Sequence, residues 1–275
     1  MSKRVASIIL NRNLPEVTDK LVCHLKKYDK NETDIYVVEA GSDPGNLSKY
    51  VTWYANWDDA IRKGLRYARG MNFGLSQLWN ENKFDNYDAF LLLTNDTELQ
   101  KKSSIKTLLN IFDNHPRLGI LSPCSKTWGE RFLLKNQDTK YFWFIHNNAY
   151  FFRKEFIKDI CITEEINYMN FLFDGTNFRG YGLEHEIIAK AYANNWAAGI
   201  TNSVLASENE SHLLNKSDLI KTEPFNVNLK LYIEEGSKWM KKKYGFKSHW
   251  ALQQYSKNLY DAFFDLHPEY EKYRL

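Results

Sequence analysis

The sequence predicts a doubly wound α/β domain with an amphipathic helical tail. Three observations carry that expectation. Short β-rich runs alternate with helical periodicity through the first ninety-odd residues. The run Ala89 to Leu93 is apolar throughout, as in a strand covered on both faces. Polar clusters close three of the expected strands: Asn11-Arg12-Asn13, Glu39 to Asp43, and Thr94-Asn95-Asp96. Ligands of doubly wound sheets sit outside the carboxyl ends of the strands, so these clusters define a candidate rim.

The elements follow in order. "RVASIIL" is the opening strand, and Pro15 suits the first turn of the helix after it. In "EVTDKLVCHLKKY", Val17, Leu21, Val22 and Leu25 recur at helical spacing. "DIYVVEA" is a second strand, stopped by the turn residues "GSDPGN". "VTWYANW" reads as a short third strand and "MNFGLSQLWNEN" as a helix beginning near Asn72. After "YDAFLLL", "SSIKTLLNIFDNHP" is a helix capped by Ser103 or Ser104, with Pro116 beyond its end. "LGILSP" is a strand, and "KYFWFIHNNAYFFRKEF" reads as one long strand bent at His146 to Asn148. "GLEHEIIAKAYANNW" is a helix and "AAGITNSVLASE" a final strand. From Phe225 the texture becomes helical and aromatic. The expected units are 1–222 and a C-terminal extension, 223–275.

The totals narrow the classes. With 275 residues and 43% hydrophobic content, the chain can bury a sizeable core. The net charge of +3 carries no nucleic-acid footprint. Cys23, Cys124 and Cys161 are odd in number and widely spaced, which reads as buried free thiols. The apolar run Val5 to Leu10 is too short for a secretory leader, and nothing later approaches a membrane span. A cytoplasmic protein is expected.

Several stretches offer chemistry beside an ordinary structural role. Asp96, at a strand tip among hydroxyls and amides, suits Mg²⁺ or Mn²⁺ when a diphosphate completes the shell; the same residues make a good turn. Glu184-His185-Glu186 opens a helix, where acids favour the dipole and a general base would have a rigid mount. Glu39 and Asp43 can accept from a base or ribose, or simply close a turn. Asn72-Phe73-Gly74, with Arg66 or Arg69 nearby, serves a sugar-phosphate or a helix start. His212, in "SENESHLL", is a surface residue or the imidazole partner of Asp96.

The order of these motifs resembles family-2 nucleotide-sugar glycosyltransferases of the GT-A fold, in the bacterial rhamnosyltransferase-like branch. "VASIILNRN" is similar to the family's opening strand, "YVVEAGSDPGN" to its strand and turn, and "GMNFGL" to its Asn-x-Gly segment. "FLLLTNDTEL" is similar to the Asp-x-Asp segment and "GYGLEHEI" to the W-G-x-E-D loop. The resemblance spans about residues 5 to 215. Two positions depart from it: Thr94 replaces the first Asp of Asp-x-Asp, and His185 the usual catalytic Asp.

The resemblance implies a GT-A, mostly parallel sheet and an inverting transfer of sugar from a nucleotide-diphosphate donor. It implies a glycan or lipid-linked acceptor, in bacterial surface polysaccharide synthesis. The donor would lie against Asn11, Arg12, Glu39 and Ser42 on one side, and Arg69, Asn72, Asn95 and Asp96 on the other. Mn²⁺ or Mg²⁺ would sit at Asp96 with His212. The base would come from Glu184, His185 or Glu186, and Tyr181, Trp143 and Asn147-Asn148 would meet sugars. A nucleotidyltransferase is disfavoured because "NRNLPEVTD" lacks a glycine-rich loop. A non-catalytic sugar-nucleotide or glycan-binding module of the same fold is the alternative. The tail "KWMKKKYGFKSHW" mixes lysines with aromatics, as a helix packed on the domain or resting on the inner membrane face would.

Overall fold

The computed structural model describes residues 4–145, 149–161, 164–209, 211 and 223–275. Its first half alternates as expected. Strand β1 (Val5–Asn11) leads to helix α1 (Pro15–Tyr28), then β2 (Thr33–Glu39) and β3 (Val51–Tyr54). Helices α2 (Asp58–Lys63) and α3 (Arg66–Asn80) precede β4 (Ala89–Thr94) and the short β5 (Thr97–Leu99). Then come α4 (Ile105–Asn114), β6 (Leu118–Cys124), α5 (Glu130–Leu133), β7 (Thr139–Tyr141), β8 (Ala149–Arg153) and α6 (Lys154–Ile160). Helix α7 (Leu183–Ala193), strand β9 (Ala197–Glu208) and two C-terminal helices, α8 (Phe225–Tyr244) and α9 (His249–Leu266), complete the described chain.

The strands join in the order β3-β2-β1-β4-β8-β6-β9-β5, with β7 also on β9. β3, β2, β1 and β4 run parallel, as do β6 and β9, whereas β8 is antiparallel to both its neighbours. Register decides what the rim looks like. Asn11 lies opposite Glu39, and Leu10 opposite Thr94, so three strand ends finish level. β4 has β1 on one side and β8 on the other, and Ala89 to Leu93 are all buried. That accounts for an apolar run without alternation.

Several local expectations change. The long strand expected across "KYFWFIHNNAYFFRKEF" is two strands, because β7 pairs with β9 while β8 inserts between β4 and β6. Helix α4 is not capped by Ser103 or Ser104. Asp29, buried after α1, accepts from the Ile105 backbone N–H at 2.9 Å and from the Ser103 hydroxyl at 2.8 Å. A cap from a distant residue has no local sequence signal. Of the thiols, Cys124 is buried, Cys161 half-buried, and Cys23 exposed on α1, against expectation.

Helix α3 begins at Arg66, so Asn72 lies well inside it rather than at its start. Its side chain is completely buried. The Asn72 Oδ1 accepts from the backbone N–H groups of Leu172 (3.1 Å) and Phe173 (3.0 Å). Its Nδ2 donates to the carbonyls of Phe173 (2.7 Å) and Tyr168 (3.3 Å). One amide thereby pins the 168–173 loop to the helix.

The C-terminal helices pack on α7. Lys243 of α8 donates to Glu186 of α7 and to Asp174, and the Tyr244 hydroxyl also donates to Glu186. A Cβ at Gly236 would lie 2.4 Å from the Cβ of Tyr181, so only glycine allows α8 this close approach. Helix α9 buries Tyr260, Phe263 and Phe264 in the main hydrophobic cluster beside Tyr141 and Tyr192. No helix among the described residues is long and apolar enough to cross a membrane.

Asn72→Ala leaves two buried backbone N–H groups and two carbonyls without partners. An unsatisfied buried group costs about 1–3 kcal/mol, so the variant should lose roughly 2–4 kcal/mol in urea unfolding. A loss below about 1 kcal/mol would mean that the 168–173 loop is held by other contacts.

Candidate functional site

The rim is built on a buried carboxylate. Glu39 is completely buried, and each of its oxygens accepts two hydrogen bonds. Asn11 Nδ2 reaches both oxygens at 3.0 and 2.8 Å, the Ser42 hydroxyl donates at 2.6 Å, and the Ser48 backbone N–H at 2.7 Å. Ser42 Oγ accepts from the Asn13 N–H, and Asn11 Oδ1 accepts from Asn95 Nδ2 at 2.9 Å. Asn95 also reaches the Thr18 hydroxyl of α1 at 3.2 Å. The three polar clusters therefore form one network. Within it, Asn11, Glu39 and Ser42 are hydrogen-bonded to one another.

Above this network lies a cavity of about 240 Å³. Asn11, Arg12, Leu14 and Ala40 line it from β1 and β2, Arg66 and Tyr67 from the start of α3, and Thr94, Asn95, Asp96 and Glu208 from the far side. Three of the lining residues each keep one buried polar atom without a hydrogen-bond partner among the described residues: Arg12 Nε, Arg66 Nε and the Tyr67 hydroxyl. The rest of Arg12 is committed, its terminal nitrogens donating to the carbonyls of Ala40, Ala60 and Ile61. Gly41 makes room for that arrangement. Its φ is +82°, and a Cβ there would lie 1.8 Å from the Ala60 carbonyl oxygen.

This wall carries closely spaced cations. Burial, then the charge of Arg66, lowers the pKa of Arg12; burial, then Arg179, lowers that of Arg66. Glu223 is the carboxylate between them, 3.2 Å from Arg66 and 2.7 Å from Arg179. An anion bound at Arg12 and Arg66 would relieve the repulsion between them. Asp96 and Glu208 face the same space with oxygen ligands, the donor set that a hard divalent cation takes. The residues present therefore fit Mn²⁺ or Mg²⁺.

The second cluster surrounds Glu184 in the first turn of α7. Its side chain is 24% exposed, and burial pushes its carboxyl up to about 7. His185 is almost completely buried, edge-on to Phe144 and to His249. Tyr181 stacks on His249 and meets Tyr232 of α8 edge-on. Burial, then Glu184, pushes the pKa of the Tyr150 phenol well above its ordinary value. Glu184, His185 and His249 place a ligand atom each within 4.8 Å of one another and could hold a metal.

The remaining expected site residues lie elsewhere. Glu186 is buried and holds α8 through Lys243 and Tyr244. Arg69 donates to the Gly175 carbonyl at 2.7 Å and stacks over Phe178. Asn72 is consumed by the 168–173 loop, because α3 starts earlier than the sequence pattern suggests. Trp143 is half-buried against Phe142 and Phe144. His212, Asn147 and Asn148 fall outside the described residues.

Tyr67, Glu208 and His249 escaped sequence reasoning. Tyr67 sits in an Arg-Tyr-Ala-Arg run with no helix signal, and Glu208 and His249 converge from segments distant in the chain. The sequence motif that pointed to Glu184 named three neighbours, and only exposure separates them.

A carboxyl whose folded pKa is raised holds its proton more tightly in the native state. Its contribution is complete below the unfolded value of 4.5 and is lost as pH rises through about 7. Glu184→Gln cannot ionise, so its stability relative to the parent should rise between pH 5 and pH 8 by on the order of 2–3 kcal/mol. Urea unfolding of both proteins at the two pH values measures this; parallel pH profiles would place Glu184 in a water-like environment.

No family model and no curated protein matches the chain. Solved structures do. The 1–349 fragment of S. aureus TarS superposes with a TM-score of 0.50 at 12% identity, over 87% of this chain and 72% of that one. The same fragment in complex with UDP-GlcNAc gives 0.51 at 13%, over 87% and 74%. The mannosyltransferase PcManGT from Pyrobaculum calidifontis, in complex with GDP-Man and Mn²⁺, gives 0.51 at 11%, over 95% and 75%. At these identities the likeness is one of architecture, and the chain has a GT-A glycosyltransferase fold.

Proposed function

We propose that the chain is a glycosyltransferase that moves a sugar from a nucleotide-diphosphate donor to an acceptor hydroxyl, with inversion. The observation that carries this reading is the cavity at the strand ends. Arg12, Arg66 and Tyr67 line it together with the carboxylate residues Asp96 and Glu208, and each of the first three keeps a buried polar atom without a hydrogen-bond partner among the described residues. A diphosphate would supply negative charge to the two guanidinium groups of that wall. Neighbours of the same fold bind UDP-GlcNAc and GDP-Man with Mn²⁺, which agrees with that ligand class.

The chemistry follows from where charge develops. Glu184 takes the proton of the acceptor hydroxyl; its pKa near 7 lets it be ionised and still basic at neutral pH. The acceptor oxygen forms a bond to the anomeric carbon from the face opposite the diphosphate, while the anomeric C–O bond to the diphosphate breaks. Arg12 and Arg66 stabilise the departing charge. A divalent cation held by Asp96, with Glu208 near, would add Lewis-acid stabilisation of the same diphosphate. Glu184 is the favoured base over its neighbours. Glu186 is tied to Lys243, and the His185 ring is enclosed by Phe144 and His249.

The test separates binding from turnover. Calorimetry with UDP and GDP in Mn²⁺ should show nucleotide binding that Asp96→Ala abolishes. Glu184→Gln should retain that binding yet reduce transfer or donor hydrolysis by about 10²-fold or more. Unchanged affinity in Asp96→Ala would remove the metal from the reading. Binding without turnover across UDP- and GDP-sugars would make the chain a sugar-nucleotide-binding module instead.

We also propose a glycan or lipid-linked acceptor, as in bacterial surface polysaccharide synthesis, and a peripheral contact with the inner membrane face. Trp250 is 74% exposed at the start of α9, and Lys241, Lys242 and Lys247 near it in sequence are exposed too. Exposed aromatic and cationic groups in one segment suit an anionic interface. Vesicles containing anionic lipid should co-sediment the full chain, and Trp250→Ala with the lysines reversed to Glu should not. Equal sedimentation of both would assign the surface to another contact.

A further inference from the structure

Glu184 and His185 open α7, and His249 is the first residue of α9. Sixty-three residues of sequence separate the two histidines, yet their rings meet at 4.5 Å between centroids, nearly perpendicular at 84°. The Glu184 Oε1 lies 3.7 Å from His185 Nδ1. One ligand atom from each of the three residues falls within a 4.8 Å span, and no other such grouping of three occurs among the described residues.

We propose that Glu184, His185 and His249 form a second divalent-cation site, of the zinc class, separate from the oxygen-lined cavity at Asp96. The donor set decides the class. Two imidazoles and one carboxylate suit Zn²⁺ and similar borderline cations, whereas Mg²⁺ prefers oxygen and keeps its water. Zinc–nitrogen bonds of about 2.0–2.1 Å place tetrahedral ligand atoms roughly 3.3 Å apart. The Glu184–His185 pair is already near that spacing, and closing the rest needs side-chain rotation of about 1–1.5 Å. Entry is open, because the Glu184 side chain is partly exposed and His249 is half-buried. Tyr181 stacks on the His249 ring at 4.8 Å and fixes its orientation from behind.

Two consequences follow. The cation would fasten α9 to α7 beside the ion pairs that Lys243 makes with Glu186 and Asp174. It would also occupy the Glu184 carboxylate, so metal binding here and proton removal by Glu184 exclude each other. The second consequence rests on the glycosyl-transfer reading; the site itself does not.

The experiment uses ZnCl₂ and the full chain. Calorimetry should show one saturable site that Mg²⁺ does not fill, and Zn²⁺ should raise the unfolding temperature by mass action. His249→Ala and His249→Gln should weaken binding by at least about 10–100-fold, the loss known for mere outer-shell partners, and remove the thermal shift. Asp96→Ala should leave both intact. Circular dichroism confirms that the two His249 variants remain folded, and His249→Gln serves if His249→Ala does not fold. No saturable binding, or binding and thermal shift that survive in the folded His249 variant, would overturn the site. Zn²⁺ binding lost with His249 in a chain that binds no nucleotide would retain this site and discard the donor reading.

Discussion

The buried Glu39 carboxylate is the constraint from which the rim takes its shape. A carboxylate with no exposure must be satisfied by hydrogen bonds, and three donor groups converge on it with four of them. Those donors come from the end of β1, the turn after β2 and the segment before β3. Asn11 passes the connection on to Asn95 and so to the end of β4. Sequence-distant strand ends are thus held level by polar contacts that exist only in one register. Shifting β2 by one residue against β1 would bury the carboxylate without partners, a large cost that specifies the pairing.

This frame divides the polar residues into two populations. Asn11, Glu39, Ser42 and Asn72 are fully buried and consumed by the fold. Arg12, Arg66 and Tyr67 line the cavity, and each keeps one buried polar atom without a partner among the described residues. A polar atom kept dry and unpaired costs stability unless a ligand meets it, so such atoms mark function better than polarity does. Arg66 adds backbone evidence of the same kind. Its φ of 58° is the left-handed region that non-glycine residues seldom adopt, at the position where it turns toward the cavity.

Much of the architecture was legible because it depends on local pattern. The apolar run of β4, the Pro15 start of α1 and the turn after Glu39 each announce themselves within a few residues. The rim was legible too, since strand-end polarity is a local signal and a parallel sheet aligns those ends. What escaped the sequence is set by tertiary pairing. The Asp29 cap of α4 and the separation of β7 from β8 depend on partners far along the chain. Roles within the rim were hidden for the same reason. Glu39 and Asp96 are both acids at strand ends, and only the folded structure shows that one braces the sheet while the other lines the cavity. At the second cluster, the Glu184-His185-Glu186 run could not reveal that Lys243 claims Glu186 from a helix fifty-odd residues away.

The order in which the chain is made gives the α7–α8–α9 packing a further meaning. Domains form from the N-terminus during synthesis, and every residue of the cavity wall from Leu10 to Glu208 emerges before α8. Tyr232, Lys243 and His249, which pack around the Glu184 cluster, are made after that wall. A nascent chain can therefore close the cavity at the strand ends while the Glu184 cluster still lacks its partners from α8 and α9.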